Sequence, residues 1–181
     1  AIVRVGTRSG VREDMQDLRL TQYGNPTECA TELTDASVVA ATTAGCGSRV
    51  MREQSFDVAL VDEASQLTEP GTLAAINRAD RFVLVGDHHQ LPPVVRDEGT
   101  YGDEDSVGGD LSLSLFERLI DQYPDAGVLL DRQYRIAQRI QAFSSREFYD
   151  DTLRPATPTV AGRALADLDS VDRGELSADL A

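Results

Sequence analysis

The sequence predicts an α/β fold with a parallel β-sheet flanked by helices, and two patterns lead to that prediction. Short apolar runs rich in β-branched residues alternate with segments of helical periodicity, as in folds whose parallel strands are joined by helices. Polar residues of specific chemistry follow these apolar runs, at the positions where open parallel sheets bind their ligands. A length of 181 residues allows one domain, or one domain with part of a second.

The apolar runs predict the strands. Each is four or five residues long and is followed at once by polar or turn-forming residues, which is typical of short buried strands. The four predicted strands are Val38 to Ala41, Asp57 to Val61, Arg81 to Val85, and Gly127 to Leu130.

Capping residues and periodicity predict three helices. Thr68-Glu69-Pro70 supplies a cap and a first turn for a helix through Ala79. Apolar residues recur at helical spacing over Ser112 to Gln122, and a third helix is predicted from Ala137 to about Arg146.

Other stretches carry no clear periodicity. The residues from about 96 to 110 are acidic and glycine-rich, which predicts a surface loop or insertion. The first thirty or so residues show no clear pattern, and the tail after Pro155 is acidic and weakly periodic, as in a frayed or truncated end.

The chain is strongly acidic. Its 31 acidic residues exceed its 17 basic ones, all of them arginine, and the net charge is −14. Alone, this argues against a nucleic-acid partner, because phosphate contacts usually supply much of the affinity. In a very salty cytoplasm that repulsion is screened, and the acidic, lysine-free composition is similar to that of halophilic archaeal proteins. An acidic mesophilic protein with a solvated surface fits the composition equally well.

The remaining compositional features favour a cytoplasmic protein without a membrane partner. No apolar run approaches the length of a membrane span, and the N-terminus does not look like a signal peptide. Cys29 and Cys46 lack metal-ligand spacing and a catalytic partner, which favours ordinary core or loop residues. A disulfide between them is an alternative that the sequence neither supports nor excludes.

The second predicted strand ends in two acids, Asp62 and Glu63. Mg²⁺ needs a hard oxygen ligand, which Asp62 can supply, and an attacking water needs an acceptor, which Glu63 can supply. Acids also cap helices or simply end strands, so the pair alone does not identify a nucleotide-hydrolysing site.

The third predicted strand runs into Gly86-Asp87-His88-His89-Gln90, followed by Leu91-Pro92-Pro93. The glycine allows a tight turn, and the Gln90 amide can hydrogen-bond to both phosphate and water. Together with the acidic pair some twenty residues earlier, this sequence resembles the second and third motifs of superfamily 1 helicases. Four later segments extend the resemblance: Ser114 to Leu119, Gln133-Tyr134-Arg135, Phe143-Ser144, and Phe148-Tyr149.

The resemblance covers about residues 36 to 154 and is to the Upf-like branch, most closely to the helicase region of the replication and end-resection helicase-nucleases. It implies a RecA-like P-loop NTPase fold, ATP and Mg²⁺ as cofactors, and movement along single-stranded nucleic acid, generally 5′ to 3′, with DNA favoured over RNA. Residues 1–130 would form the C-terminal part of the first RecA-like motor domain, and residues 131–181 the beginning of the second.

The resemblance also implies roles for individual residues. Asp62 would hold Mg²⁺, Glu63 would orient or activate water, Gln90 would sense the γ-phosphate, and Arg135 would reach the γ-phosphate as an arginine finger. Two further sets are expected, at the nucleotide and at the nucleic-acid strand respectively: Gly86, Asp87 and Gln133; Thr42, Thr43, His88 and Pro92.

Several of these residues have a structural alternative. Arg135 could be a surface ion-pair residue, and Thr42 and Thr43 could satisfy turn backbone groups. Adjacent His88 and His89 would point to opposite sides of an extended segment, with one of them solvated, and neither looks like a metal ligand. Two aromatic residues are expected to pack in the interior rather than to stack on bases: Tyr134 and Phe143.

The departures from the family pattern also carry information. A chain without lysine cannot contain the Gly-x-x-x-x-Gly-Lys-Ser/Thr phosphate loop, and Ile136 replaces the usual methionine. We therefore expect a fragment of a helicase, or a split or decayed gene product, whose partner is the remainder that carries the phosphate-binding loop. A non-catalytic binding or assembly module is the main alternative, and an unrelated P-loop kinase or other NTPase is a minor one.

Overall fold

The computed structural model of the chain describes residues 1–20, 26–95 and 113–164. The chain forms two compact units, Ala1–Pro124 and Asp125–Ala181. The acidic stretch predicted over residues 96–110 and the last part of the tail lie outside the described residues.

The first unit begins with a pair of parallel strands. Strand β1 (Ile2–Val5) pairs with β2 (Val38–Ala41), and Ile2 is in register with Val38. Two 3-10 helices (Arg8–Gly10, Glu13–Leu18) and helix α1 (Pro26–Thr34) connect the strands. Because side chains alternate along a strand, Val3 and Val5 are buried while Ile2 is exposed. One core cluster includes Val3, Val5, Leu20, Cys29, Leu33 and Met51.

A second parallel pair follows in the same unit. Strand β3 (Phe56–Val61) pairs with β4 (Ala79–Leu84), and Val61 is in register with Leu84. The other elements are helix α2 (Thr43–Cys46), 3-10 helices at Arg49–Met51 and Ala64–Gln66, helix α3 (Glu69–Ile76) and helix α4 (Leu115–Gln122). A second core cluster includes Val61, Ala64, Ile76, Leu115 and Phe116.

Helices cover only one face of the β3–β4 pair in the described part of the chain. Val61 is buried in the second core cluster, whereas its neighbour Leu60 is 68% exposed. Val58 and Val83 lie on the same face as Leu60, and both are exposed. Parallel sheets normally bury both of their faces. An exposed face made of apolar side chains, as on this strand pair, is therefore unusual.

The second unit contains a short parallel ladder beside a helix. Strand β5 (Arg132–Gln133) pairs with β6 (Arg154–Pro155), and helix α5 (Gln138–Phe148) lies between them in sequence. Helix α6 (Pro158–Ala161) follows, with the Thr157 hydroxyl accepting a hydrogen bond from the Val160 amide. A 3-10 helix at Pro124–Ala126 lies at the sequence boundary of the two units.

The predicted α/β class with parallel strands is confirmed. β2 has the predicted bounds, and β3 and β4 differ from them by one or two residues at their ends. The strand predicted at Gly127 to Leu130 is wrong. Those residues form no strand, and Val128 is 85% exposed. The physical reason is that an apolar run becomes a strand only through pairing, and no described strand pairs with this one.

The helix bounds also differ in places. The helix expected to reach Ala79 ends at Ile76, because the chain turns there and residue 79 begins β4. Helix α4 begins at Leu115, since the Ser114 hydroxyl caps it by accepting a hydrogen bond from the Glu117 amide at 3.1 Å. β1 and α1 were not predicted. The described strands form three separate pairs rather than the one expected sheet.

Among the described helices, none is long and apolar enough to cross a bilayer.

Candidate functional site

The two motif loops lie side by side at one edge of the β3–β4 pair. Asp62 and Glu63 follow β3 directly, and the segment Gly86 to Gln90 follows β4. Because the two strands are parallel and adjacent, their carboxyl ends reach the same edge. The structure therefore brings together the residues that the sequence predicts for Mg²⁺, water and γ-phosphate.

Hydrogen bonds join these two loops. The Val85 amide donates to the Val61 carbonyl, and the Ala64 amide donates to the Val85 carbonyl, both at 2.8 Å. The Asp87 amide donates to the Ser65 hydroxyl at 3.0 Å, and Ser65 is buried. A Cβ atom on Gly86 would lie 2.9 Å from the Ser65 backbone nitrogen, so a side chain there would force the loops apart.

The acidic loop has a constrained backbone and solvent-exposed carboxylates. Glu63 lies in the left-handed region with φ 54° and ψ 37°, a conformation that costs a non-glycine residue about 1–3 kcal/mol. The Asp62 Oδ1 accepts from the Glu63 amide at 3.0 Å, and the Gln66 side chain donates to Glu63 Oε2 at 3.1 Å. Each carboxylate thus has one oxygen held by the loop.

The loop after β4 is organised by Asp87. Its Oδ2 accepts from the Gln90 side-chain nitrogen at 2.8 Å, and its Oδ1 accepts from the His89 amide at 3.1 Å. The segment is a turn rather than an extended strand, and the rings of His88 and His89 are 4.1 Å apart. The half-buried His88 faces Phe116 at 6.3 Å, and His89 is exposed, as expected for one of the two.

Next to Gln90 is an open cleft of about 590 Å³. Its lining combines amide and imidazole groups with apolar side chains: Gln66, His89, Gln90, Leu91, Pro92 and Val94. The cleft is continuous with the Gln90 end of the candidate site. It includes Pro92, whose contact with the nucleic-acid strand, implied by the family resemblance, stays a prediction.

The threonines after β2 serve the local turn. The Thr42 hydroxyl accepts from the Gly45 amide at 3.2 Å and caps α2, which is the structural alternative considered for this residue. Thr42 remains exposed, and Thr43 is the half-buried first residue of α2. A contact of either residue with nucleic acid stays a prediction.

Arg135 lies in the second unit, on a loop built around the Gln133 side chain. The Gln133 Oε1 accepts from the amides of Arg135 and Ile136, both at 2.8 Å. Its Nε2 donates to the Ile136 carbonyl and to Gln141 Oε1, both at 2.7 Å. Arg163 donates to the Arg135 carbonyl at 2.7 Å. Both ends of the Gln133 side-chain amide thus form hydrogen bonds that stabilise this loop. Its expected contact with nucleotide stays a prediction.

The Arg135 side chain itself is exposed, and its guanidinium forms no ion pair in the described part of the chain. The surface ion-pair alternative therefore has no support among these residues. The expectation that Tyr134 and Phe143 pack in the interior is wrong, since they are 68% and 58% exposed. The buried residues of α5 are Gln141 and Ser145, whose side chains hydrogen-bond to the Leu153 carbonyl.

The cysteines are not candidate catalytic groups. Neither cysteine is in a disulfide, and Cys29 is buried. Burial raises the pKa of the Cys46 thiol, an effect that Arg78 partly offsets. A raised pKa lowers the thiolate fraction at neutral pH, which disfavours a nucleophilic role.

Sequence reasoning missed the residues that hold the site together. The sequence predicted no role for Ser65, Gln66, Gln141 or Arg163. The spacing of Gln66 three residues after Glu63 was an available signal, because such residues can meet across one helical turn. No sequence signal shows that Ser65 reaches Asp87, 22 residues away.

Two family models match the chain, and both are described as an AAA domain. The first matches residues 3–98, more than half of the chain, and the second matches residues 111–175. The chain belongs to this AAA domain family. Its relatives include ATP-dependent helicases, so it is a superfamily 1 helicase region.

Three relatives illustrate this family relationship. An uncharacterized ATP-dependent helicase of Methanocaldococcus jannaschii is 37% identical over 78% of this chain and 21% of its own length. Two proteins of Schizosaccharomyces pombe are similar at comparable levels. The DNA replication ATP-dependent helicase/nuclease dna2 is 33% identical over 91% of this chain and 12% of its own length. The DNA polymerase alpha-associated DNA helicase A is 34% identical over 94% and 24%. The AAA-domain region thus spans less than a quarter of each.

Proposed function

We propose that this chain forms the acidic and phosphate-sensing part of an ATP-dependent, RecA-like nucleic-acid helicase. It would act in the cytoplasm together with a segment that carries the phosphate-binding loop. The single observation that supports this best is the joining of the two motif loops at one sheet edge. Asp62 and Glu63 are held beside the segment that ends in Gln90 by the hydrogen bonds of Ala64 and Ser65.

The carboxylates fit a Mg²⁺-nucleotide. Asp62 is exposed and uses Oδ1 for the Glu63 amide, which leaves Oδ2 for the metal or a metal-bound water. Mg²⁺ commonly uses one or two carboxylates together with substrate phosphates and waters. When bound, Mg²⁺ would neutralise charge on the phosphate oxygens.

Glu63 would accept a hydrogen bond from the attacking water. Its Oε2 is held by Gln66, which leaves Oε1 as the acceptor. The Glu63 backbone lies in the left-handed region, and strained backbone of this kind clusters at functional sites.

Gln90 would report the presence of the γ-phosphate. Its side-chain nitrogen is bonded to Asp87 in this structure, and its oxygen is available. A switch of the Gln90 amide from Asp87 to phosphate would link nucleotide binding to the position of the loop and of the adjacent cleft. Gly86 allows this close approach of the two loops. The nucleic-acid strand, DNA in preference to RNA, would lie near Thr42, Thr43, His88 and Pro92.

Glu63→Gln is the variant that tests this proposal, in a motor that carries these residues together with a phosphate-binding loop. We expect turnover of ATP to fall by at least about 10³-fold while ATP binding persists, because the amide retains size and polarity but not basicity. Asp57→Asn is the matched control, since Asp57 is an exposed acid on β3, the strand that precedes Glu63. Normal turnover in Glu63→Gln would remove Glu63 from this role. Equal losses in both variants would indicate a structural effect.

A further inference from the structure

We infer that Ser65 is a positioning residue. It fixes the segment Gly86 to Gln90, the proposed γ-phosphate-sensing loop, against the acidic loop that carries Asp62 and Glu63. This inference rests on the proposed function and adds to it a residue that makes no direct contact with nucleotide. Ser65 is 4% exposed, and its hydroxyl accepts from the Asp87 amide at 3.0 Å.

The hydrogen bond from the Asp87 amide to Ser65 holds the residue that organises the rest of the loop. Asp87 holds the Gln90 side chain through Oδ2 and the His89 amide through Oδ1. Fixing the Asp87 backbone therefore fixes the origin of both interactions. Ser65 belongs to the 3-10 helix Ala64–Gln66, whose last residue holds Glu63. A continuous set of contacts thus runs from Glu63 through Ser65 to Gln90.

Gly86 allows the loop after β4 to approach Ser65 closely, because it has no side chain. A Cβ atom there would lie 2.9 Å from the Ser65 nitrogen and 3.2 Å from its hydroxyl. Real Cβ atoms do not approach backbone nitrogen that closely, so Gly86→Ala must separate the loops. Because misplacement of catalytic groups by about 1 Å can cost up to about 10²-fold in rate, this packing matters for turnover.

The backbone bonds between the loops are independent of Ser65. The Val85 amide bonds to the Val61 carbonyl, and the Ala64 amide bonds to the Val85 carbonyl. Ser65→Ala should leave these bonds in place and release only the segment from Asp87 onward. This selectivity distinguishes a positioning role from a general contribution to folding.

The chain offers a matched control in Ser114. Ser114 is 1% exposed, and its hydroxyl accepts from the Glu117 amide at 3.1 Å. Ser114→Ala therefore removes the same kind of buried hydrogen bond at the start of α4, outside both motif loops. Similar losses of stability are expected from the two variants.

The first test is amide hydrogen exchange in the 181-residue chain. In Ser65→Ala, exchange of the Asp87 amide should accelerate about tenfold more than exchange of the Val85 and Glu117 amides, which report the loss of global stability. In Ser114→Ala, the Glu117 amide should accelerate and the Asp87 amide should not. Unchanged exchange at Asp87 in Ser65→Ala would overturn the inference without bearing on Glu63.

The second test is steady-state ATP hydrolysis in a motor that contains the phosphate-binding loop. Ser65→Ala and Gly86→Ala should each lower kcat by about tenfold or more with KM for ATP within about twofold, and Ser114→Ala should leave kcat unchanged. If kcat falls equally in Ser65→Ala and Ser114→Ala, the role of Ser65 is only structural. If Ser65→Ala is normal while Glu63→Gln is inactive, the inference fails and the proposed function stands.

Discussion

At the residue scale, the candidate site consists of exposed functional groups on two loops that a buried serine joins. Asp62, Glu63 and Gln90 are exposed, whereas Ser65 is buried and bonds to the neighbouring loop. In the second unit, Arg135 is exposed on a loop shaped by the half-buried Gln133. Buried hydrogen-bonded groups resist rearrangement, so they can preorganise the exposed groups for a ligand.

Arg135→Ala gives a prediction at this scale. Under the proposed function, ATP turnover should fall by about 10³-fold or more, as for other arginine fingers, with far weaker effects on binding of single-stranded DNA. Turnover and fluorescence anisotropy with labelled DNA would measure the two effects. Arg139→Ala is the control, because Arg139 is an exposed arginine on α5 of the same unit. Weakened DNA binding with normal turnover would instead make Arg135 a nucleic-acid contact.

At the scale of elements, β3 presents two different faces. Val61 packs in the core cluster with Ile76 and Phe116, whereas the preceding Leu60 is 68% exposed. Alternation of burial along one strand follows from the pleat. The functional loops depend on the buried face, since the Val61 carbonyl also accepts the Val85 amide that joins them.

This asymmetry predicts unequal effects of truncating the two side chains. In the 181-residue chain, Val61→Ala should lower the free energy of unfolding by about 1–3 kcal/mol because it leaves a cavity. Leu60→Ala should change it by no more than about 0.5 kcal/mol, because most of that side chain is already in solvent. Urea denaturation would measure both. A larger loss in Leu60→Ala than in Val61→Ala would show that the exposed face is covered in solution.

How far the elements could be predicted depended on local signals. β2, β3 and β4 combine an apolar run with a polar end, and the prediction found all three. Gly127 to Leu130 has an equally apolar run, but pairing with a distant segment decides strand formation, and local sequence does not contain that information. The Ser114 cap shows the same limit, because either of two nearby serines could begin α4. The contact of Ser65 with Asp87 joins the loops that follow two different strands, and the sequence spacing does not predict it.

At the scale of the whole molecule, the chain has the proposed catalytic acids, Asp62 and Glu63, and the proposed sensor Gln90, but no lysine for a phosphate-binding loop. It spans less than a quarter of the helicases described above. The exposed apolar face of β3–β4 and the net charge of −14 both affect the stability of the folded state of the isolated chain. High salt screens the repulsion between its carboxylates and favours the compact state.

The most direct test of the central claim is ATP hydrolysis with Mg²⁺ and single-stranded DNA in high salt. It would be measured for the folded 181-residue chain alone, and for the chain fused to a helicase segment that contains a Gly-x-x-x-x-Gly-Lys-Ser/Thr sequence. We predict no turnover by the chain alone and strand-stimulated turnover by the fusion, lost in Glu63→Gln. Turnover by the chain alone, or turnover in the fusion that does not depend on Glu63, would contradict the proposed division of the ATP site.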